Sequence, residues 1–151
     1  MKTNVLRAKA GSLTQPQILN WLSEKTRGWD IANQKILLVV PDQTRTAPLG
    51  LLFKAFCELW LNSAAQLDVM IASGTHPVMS EKAILQRLEI NQEERFASYG
   101  KVCFHNHVWN NPAELKTVGY LTSDMVSEMT DGLFSLDIEI TINRKIQRKK
   151  P

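Results

Sequence analysis

The fold class of this chain is indicated by the stretch Lys35-Ile-Leu-Leu-Val-Val40 together with the segment that follows it, Pro41-Asp-Gln-Thr-Arg-Thr-Ala-Pro48. A continuous run of leucine and β-branched residues is typical of a strand that is covered on both faces of a sheet. A helix is predicted directly afterwards, over roughly Leu49–Asn62. This segment is apolar almost all round and is therefore expected to be deeply packed.

The same alternation of strand and helix continues along the chain. Leu67–Ala72 and Lys101–His105 are predicted to be strands, and helices are predicted after Ser80 and over Asn91–Tyr99. An N-terminal helix is expected to begin near Pro16. Strands spaced 25–35 residues apart and separated by helices predict an α/β fold with a largely parallel, Rossmann-like sheet and flanking helices.

The C-terminal part has a different pattern. Leu115–Leu121 and Ser135–Ile142 are predicted to be strands, with a helical segment over Thr122–Met129 between them. Isoleucine alternates with polar residues from Ile138 to Ile142, which is the pattern of a half-exposed strand. We expect this strand to lie at a sheet edge.

Length and composition predict a single α/β domain over residues 1–151. Hydrophobic residues make up 44% of the chain and charged residues 22%, as in ordinary globular proteins. The apolar runs are too short to cross a bilayer, and the N-terminus lacks the apolar core of a signal peptide, so the cytoplasm is the expected compartment. Cys57 and Cys103 are expected to be buried thiols, since a redox role has no Cys-x-x-Cys motif to support it.

The net positive charge of the chain comes from its C-terminal tail. The last eight residues carry five positive charges, whereas the whole chain has a net charge of +3, so residues 1–143 are slightly acidic at −2. Such a tail could bind phosphate backbones, could be a solvated end, or could be a sequence out of its proper context. The acidic body argues against a nucleic-acid partner, and the family resemblance described below favours the last alternative.

Polar residues of unusual chemistry follow each of the three predicted parallel strands. In open α/β sheets, ligands bind outside the carboxyl ends of the strands, so these residues are expected to converge at one edge. All three histidines of the protein belong to this set. Its members are Asp42, Thr44, Arg45, Thr75, His76, His105 and His107. The pattern predicts a site for a small anion.

Two of the strand-end segments have both a functional and a purely structural interpretation. Arg45 is suited to bidentate binding of a carboxylate, but it could also pair with Asp42 while Thr46 caps the next helix. The segment from Gly74 to His76 could be only a tight turn. A histidine at the end of a strand is nevertheless well placed for acid–base chemistry near neutral pH.

The remaining candidates give weaker signals. His105 and His107 would share a face if their strand continued, but two imidazoles without a third ligand are weak evidence for a metal site, and no metal is expected here. Trp60 and Trp109 are most simply core or covering residues. The chain has no Walker loop, dinucleotide fingerprint or zinc motif.

Three motifs, in this order, resemble the N-terminal domain of the lactate racemase family. They are Asp42-Gln-Thr-Arg-Thr-Ala-Pro48, Gly74-Thr-His-Pro-Val-Met-Ser-Glu81 and Asn106-His-Val-Trp109, with Ile142-Asn-Arg-Lys145 as a weaker fourth. The resemblance covers about residues 35–146, with 147–151 as a basic tail. Members of this family use a nickel-pincer nucleotide to racemise or epimerise 2-hydroxy acids.

The resemblance implies roles for individual residues. The cofactor would accept a hydride from C2 of the substrate while a histidine takes the hydroxyl proton, and by position His76 resembles that acid/base residue. Arg45 resembles the arginine that holds the substrate carboxylate, and Asp42 the neighbouring carboxylate that supports the site. Thr44 and Thr75 are assigned beside them to substrate binding. His107 and Trp109 are assigned to site architecture.

This sequence also departs from the family pattern. Thr46 stands where the family usually has proline, and Pro77 stands where arginine often follows the histidine. Family members continue beyond the segment matched by Ile146 into a strand, a cofactor-tethering lysine, a nickel-binding histidine and a second domain. We therefore expect a truncated or frameshifted form that does not bind the cofactor alone, with a second chain or the missing C-terminal half as a partner. The alternative is a non-catalytic binding module for a small carboxylate.

Overall fold

The structure is a computed structural model that describes residues 5–8 and 11–147. It confirms the predicted fold class, a mixed α/β arrangement with a parallel sheet of three strands flanked by helices, and adds a small antiparallel sheet. The main elements are α1 (Gln15–Thr26), β1 (Lys35–Pro41), α2 (Leu49–Trp60), β2 (Gln66–Ala72), α3 (Glu81–Arg87), α4 (Gln92–Ala97), β3 (Cys103–Asn106), β4 (Leu115–Leu121), α5 (Ser123–Met129) and β5 (Ile138–Asn143). Short 3₁₀ turns occupy Pro112–Glu114 and Arg144–Ile146.

The described residues form two compact units. The first unit contains the chain up to Ala72 together with Met79–His105, and the second contains Ser73–Val78 together with the described residues from Asn106 onward. The short segment after β2 is therefore grouped with the C-terminal part of the chain. This division does not test whether the chain is a single domain, which stays a prediction.

The first unit is built on the parallel sheet, whose strand order is β1-β2-β3. β1 and β2 pair in parallel from Lys35 with Gln66 to Pro41 with Ala72. The two strands consequently end level with each other, and the chain leaves this edge of the sheet at Asp42 after β1 and at Ser73 after β2.

One face of this sheet carries the hydrophobic core. Val69 and Ile71 of β2 are fully buried against Phe53 and Trp60 of α2, in a cluster that also includes residues of the α3 and α4 region. Cys57 of α2 lies in the same cluster, and burial raises the pKa of its thiol to about 12 because the charged thiolate is poorly solvated there. Cys103 is exposed, so the expectation that it is buried is wrong. The apolar character of α2 predicted from its sequence is explained by this packing.

The prediction that the Lys35–Val40 strand is covered on both faces is wrong. β1 is the outer strand of the sheet, and Val39 is 53% exposed, whereas Ile36, Leu38 and Val40 pack against the core. The strand that is buried most thoroughly is β2, where Val69, Met70 and Ile71 follow one another with almost no exposure. β2 has a neighbour on each side, and β1 has only one in the described chain.

Three helices of the first unit, α1, α3 and α4, begin at recognisable capping residues. The backbone N–H of Thr14 donates to Oε1 of Gln17 at 2.9 Å at the start of α1, and Ser80 Oγ accepts from the N–H of Ala83 before α3. Asn91 and Glu94 form a reciprocal capping box at α4. The hydrogen bond from the Asn91 backbone, followed by one from Lys54, lowers the pKa of Glu94.

The second unit contains β4 and β5, which pair antiparallel with a bulge between Thr117 and Gly119. α5 connects them and buries Val126. In the described chain β5 pairs with β4 alone, and its Ile138 and Ile140 are exposed, in agreement with the predicted edge strand. Among the described residues, no helix has the length and apolar character needed to cross a membrane.

Candidate functional site

The turn after β1 is organised by a buried carboxylate. Asp42 is 3% exposed, and its Oδ1 accepts a hydrogen bond from the backbone N–H of Thr44 at 3.0 Å and another from the Thr44 hydroxyl at 2.6 Å. An aspartate that accepts from the residue two positions ahead forms an Asx turn, which closes the backbone locally. Asp42 therefore fixes the path by which the chain leaves the sheet.

Arg45 comes directly after the Asx turn, and its side chain is exposed. Its carbonyl oxygen accepts a hydrogen bond from Nη2 of Arg87 at 2.5 Å, so the loop is tied to the end of α3. The alternative in which Thr46 caps α2 is wrong, because Pro48 occupies the N-cap position and no side chain caps this helix. Arg45 thus projects a guanidinium from a fixed position.

The loop after β2 is a tight turn, as one of the two sequence interpretations predicted. The backbone N–H of His76 donates to the Ser73 carbonyl at 2.9 Å, and Gly74 adopts a φ of 57°, in the left-handed region that glycine tolerates without strain. Thr75 and His76 are exposed at the outer side of the turn. This tight turn presents the imidazole to solvent.

Ser73 connects this turn to the segment after β3. This residue was not among the predicted site residues. Its side chain is buried, and its hydroxyl donates to the carbonyl oxygen of His107 at 3.1 Å. The link joins the residue just before the second motif to the third motif of the family resemblance. The available signal was the position of a serine at the end of an apolar strand, because a hydroxyl there must find a hydrogen-bond partner when it is buried.

His107 and Trp109 differ in burial within that segment. The Nδ1 atom of His107 is buried and has no hydrogen-bond partner among the described residues. Trp109 is about half exposed. In the weaker fourth motif, Asn143 is buried and its Oδ1 accepts from the backbone N–H of Lys145 at 3.0 Å.

The prediction that His105 follows the third strand is wrong. It lies within β3, and its Nε2 is 3.3 Å from Oδ2 of Asp68 in the neighbouring strand β2. The same carboxylate accepts from the backbone N–H of Cys103 and from the Gln66 side chain. Because β3 ends at Asn106, His105 does not share a continuous strand with His107. Its imidazole is engaged in a pair inside the sheet.

The candidate residues divide between the two units. Asp42, Thr44 and Arg45 belong to the first unit, where the turn after β1 brings them together, and Thr75, His76, His107 and Trp109 belong to the second. Within residues 5–8 and 11–147, no group of three or more histidine, cysteine or acidic side chains is placed to hold a metal ion. The chemistry available is that of an arginine fork, an exposed imidazole and a buried carboxylate.

Comparison with known proteins supports the fold and leaves the activity open. No protein-family model matches the chain, and no curated protein matches it. Among solved structures, the chain is similar to the crystal structure of a Thermotoga maritima protein determined by the Northeast Structural Genomics Consortium, with 35% sequence identity over 88% of this chain and a TM-score of 0.72. The present chain spans 30% of that protein's length.

Proposed function

We propose that this chain forms the substrate-handling part of a lactate-racemase-like enzyme that racemises or epimerises a 2-hydroxy acid. The observation that carries the proposal is the Asx turn after β1, in which buried Asp42 fixes the loop from which Arg45 projects. His76 lies in the tight turn that follows β2. The order of the motifs in the sequence, which resembles that of the lactate racemase family, is a second support for the proposal.

Arg45 is proposed to bind the substrate carboxylate. Its planar guanidinium can donate two parallel hydrogen bonds to the two carboxylate oxygens, which fixes the orientation of the acid as well as its position. The hydrogen bond from Arg87 to the Arg45 carbonyl holds the backbone of this loop, so less conformational freedom is lost when a ligand binds.

His76 is proposed to take the proton of the substrate hydroxyl. An imidazole is suited to this role because its ordinary pKa lies near neutrality, so it can both accept and return a proton at physiological pH. Its exposed position in the tight turn after β2 leaves the ring accessible to a ligand. Returning the same proton to the substrate oxygen would complete its part of the reaction.

Asp42 is proposed as a positioning residue, supported by Thr44. Its Oδ1 already accepts two hydrogen bonds from Thr44, and a buried carboxylate needs such partners to offset its lost hydration. Thr75 is proposed to contribute its hydroxyl to substrate binding from the His76 turn, and His107 and Trp109 to shape the surroundings.

The proposal assigns no step to a metal. No suitable set of three ligands is present in the part of the chain that the structure describes. In the lactate racemase family the nickel-pincer nucleotide is held by residues beyond the matched segment, so none of the residues named above is proposed to hold it. What is proposed for them is recognition of the acid and transfer of the hydroxyl proton.

The test is calorimetric titration of D-lactate and L-lactate into the purified chain. We expect saturable binding, and at least a tenfold loss of affinity in Arg45→Ala, because a charge-assisted bidentate pair contributes on the order of 1.5–3 kcal/mol. Arg45→Lys keeps the charge but loses the fork and should recover only part of the affinity. Arg27→Ala, which removes another exposed arginine of the same unit, is the matched control and should bind as the parent does.

His76 separates the enzymatic function from simple binding. His76→Gln should bind lactate with an affinity close to that of the parent but lose the proton uptake or release that accompanies binding, which is measured by repeating the titration in buffers of different ionisation enthalpy. Binding that depends on Arg45 but is indifferent to His76 would identify a carboxylate-binding module. If the folded chain binds neither enantiomer of lactate, these loops do not form a substrate site in this chain, and the proposal is wrong.

A further inference from the structure

The segment from α5 to the start of β5 displays large apolar side chains to solvent. The acidic apolar patch, as it is called below, consists of five apolar residues that are between 46% and 79% exposed and three acidic residues among them. These residues are Met125, Met129, Leu133, Phe134 and Leu136, with Asp124, Glu128 and Asp131.

Hydrogen bonds hold this segment in its outward-facing conformation. Thr130 Oγ1 donates to the Val126 carbonyl at 2.7 Å and accepts from the backbone N–H of Phe134 at 3.1 Å. Asp137 accepts from the backbone N–H of Ser123 at 2.8 Å, which joins the two ends of the segment. The exposed apolar side chains are thus carried by a closed loop, and a partner could bind them without first ordering the backbone.

Charge is strongly segregated around the patch. Residues 117–143 contain five acidic residues and no lysine or arginine, and residues 144–150 contain five lysine or arginine residues and no acidic one. Residues 144–150 are called the basic segment below. The basic segment also contains the exposed apolar residue Ile146. One chain therefore carries both an acidic apolar surface and a basic segment of complementary composition.

We propose that a second copy of this chain covers the acidic apolar patch, with the basic segment of each copy against the patch of the other. Such a contact occurs twice in a two-fold symmetric dimer, since each copy supplies one patch and one basic segment. The five apolar side chains, each about half or more exposed, supply the apolar centre that such an interface needs, and the charged residues supply its rim. Opposite charges at the rim would set the register of the two copies.

The first experiment is sedimentation equilibrium of the chain at several protein and NaCl concentrations. We expect a monomer–dimer equilibrium whose dissociation constant rises at least tenfold between about 0.05 and 0.5 M NaCl, because salt screens exposed charge pairs. A chain that stays monomeric at all concentrations, or a dimer whose affinity is independent of salt, would overturn the proposal.

Charge-reversal variants test which segments meet. Asp124→Lys/Glu128→Lys and Arg144→Glu/Lys145→Glu/Arg148→Glu should each fail to self-associate, because patch and segment then carry the same sign or lose their attraction. An equimolar mixture of the two variants should dimerise again, since the basic segment of the first variant meets the unchanged patch of the second. Lack of recovery in the mixture would show that the two segments do not meet between copies.

The apolar contribution has a matched control in the other unit. Phe134→Ser removes an exposed phenylalanine from the patch, and Phe96→Ser removes an exposed phenylalanine from α4. We expect the dissociation constant to rise at least tenfold in Phe134→Ser and to stay unchanged in Phe96→Ser. An equal effect of the two substitutions, with both chains folded by circular dichroism, would contradict the assignment of the interface to the patch.

Discussion

The close approach of Gly50 in α2 to Glu89 after α3 makes a sharp test of the packing in the first unit. A Cβ atom at Gly50 would lie 2.6 Å from Cβ, Cδ and Oε2 of Glu89, which is far inside van der Waals contact. The gain in helix propensity from alanine is at most about 1 kcal/mol, and smaller in the first turn of a helix. Overpacking of this kind typically costs about 1–3 kcal/mol. We therefore expect Gly50→Ala to lower the free energy of unfolding by about 1–2 kcal/mol.

The same contact predicts that a second substitution reverses this loss. Glu89 has a φ of 54°, in the left-handed region that costs a non-glycine residue on the order of 1 kcal/mol. Glu89→Gly relieves that strain and also removes all three atoms that a Cβ at Gly50 would meet. In the Glu89→Gly background, Gly50→Ala should be neutral or stabilising by up to about 1 kcal/mol, so the coupling free energy should be about 2 kcal/mol.

Urea unfolding of the four chains, followed by tryptophan fluorescence, gives this double-mutant cycle. Glu89→Gln is the matched control, because it removes the charge but keeps the Cβ and Cδ atoms, and it should not rescue Gly50→Ala. If Gly50→Ala is equally destabilising with glutamate, glutamine or glycine at position 89, the close contact is not the cause of the loss, and the account of α2 packing against this residue is refuted.

Three further predictions concern the cysteines and the Ser73 link. Burial raises the pKa of the Cys57 thiol from 9.0 to about 12. The unfolded chain therefore loses this proton near pH 9 while the folded chain keeps it, so the free energy of unfolding falls as the pH rises from 9 towards 12. Urea unfolding at pH 7 and pH 10.5 should therefore show about 2 kcal/mol more loss in the parent than in Cys57→Ala, and an equal loss in both would contradict this. Maleimide should label exposed Cys103 rapidly at pH 7.5 and Cys57 only after unfolding, as peptide mass mapping can check, and equal labelling rates would refute the packing of α2. Ser73→Ala should lower the free energy of unfolding by about 1 kcal/mol, because the hydrogen bond to the His107 carbonyl is lost, whereas Ser98→Ala, at an exposed position, should have little effect in the same urea titration.

The order of elements was predictable from the sequence because local patterns determine it. Alternation of apolar runs with helical periodicity located β1, α2, β2 and the helices that follow. Capping residues such as Ser80 marked where a helix begins. These signals are contained within a few neighbouring residues, so they do not depend on what the rest of the chain does.

The coverage of each strand was not predictable in the same way. The most continuous apolar run belongs to β1, which is an outer strand, while the strand buried most thoroughly is β2, whose run is interrupted by Asp68. A run of apolar residues indicates that a strand packs against something, but strand order arises from contacts distant in sequence. Asp68 is accommodated because His105 and the Cys103 backbone lie beside it.

The candidate site was predictable to a similar degree. The position of Asp42, Arg45 and His76 after strands β1 and β2 follows directly from the strand predictions, since those boundaries were nearly correct. His105 was misplaced because the predicted strand ended one residue early and its partner, Asp68, is 37 residues away. Ser73 was missed because its importance comes from a contact with a backbone carbonyl, which leaves no trace in the sequence of the acceptor residue.

The assignment of Ser73–Val78 to the second unit has a consequence for how this protein could be divided or recombined. A single cut in the chain cannot separate the two units, because a six-residue piece of the second is inserted between β2 and the helices of the first. A chimera that exchanges only the residues from Asn106 onward would therefore keep Ser73 but replace the segment whose His107 carbonyl accepts the hydrogen bond from the Ser73 hydroxyl. Changes in the two stretches must be compatible, so we expect successful recombinants to inherit both from the same parent.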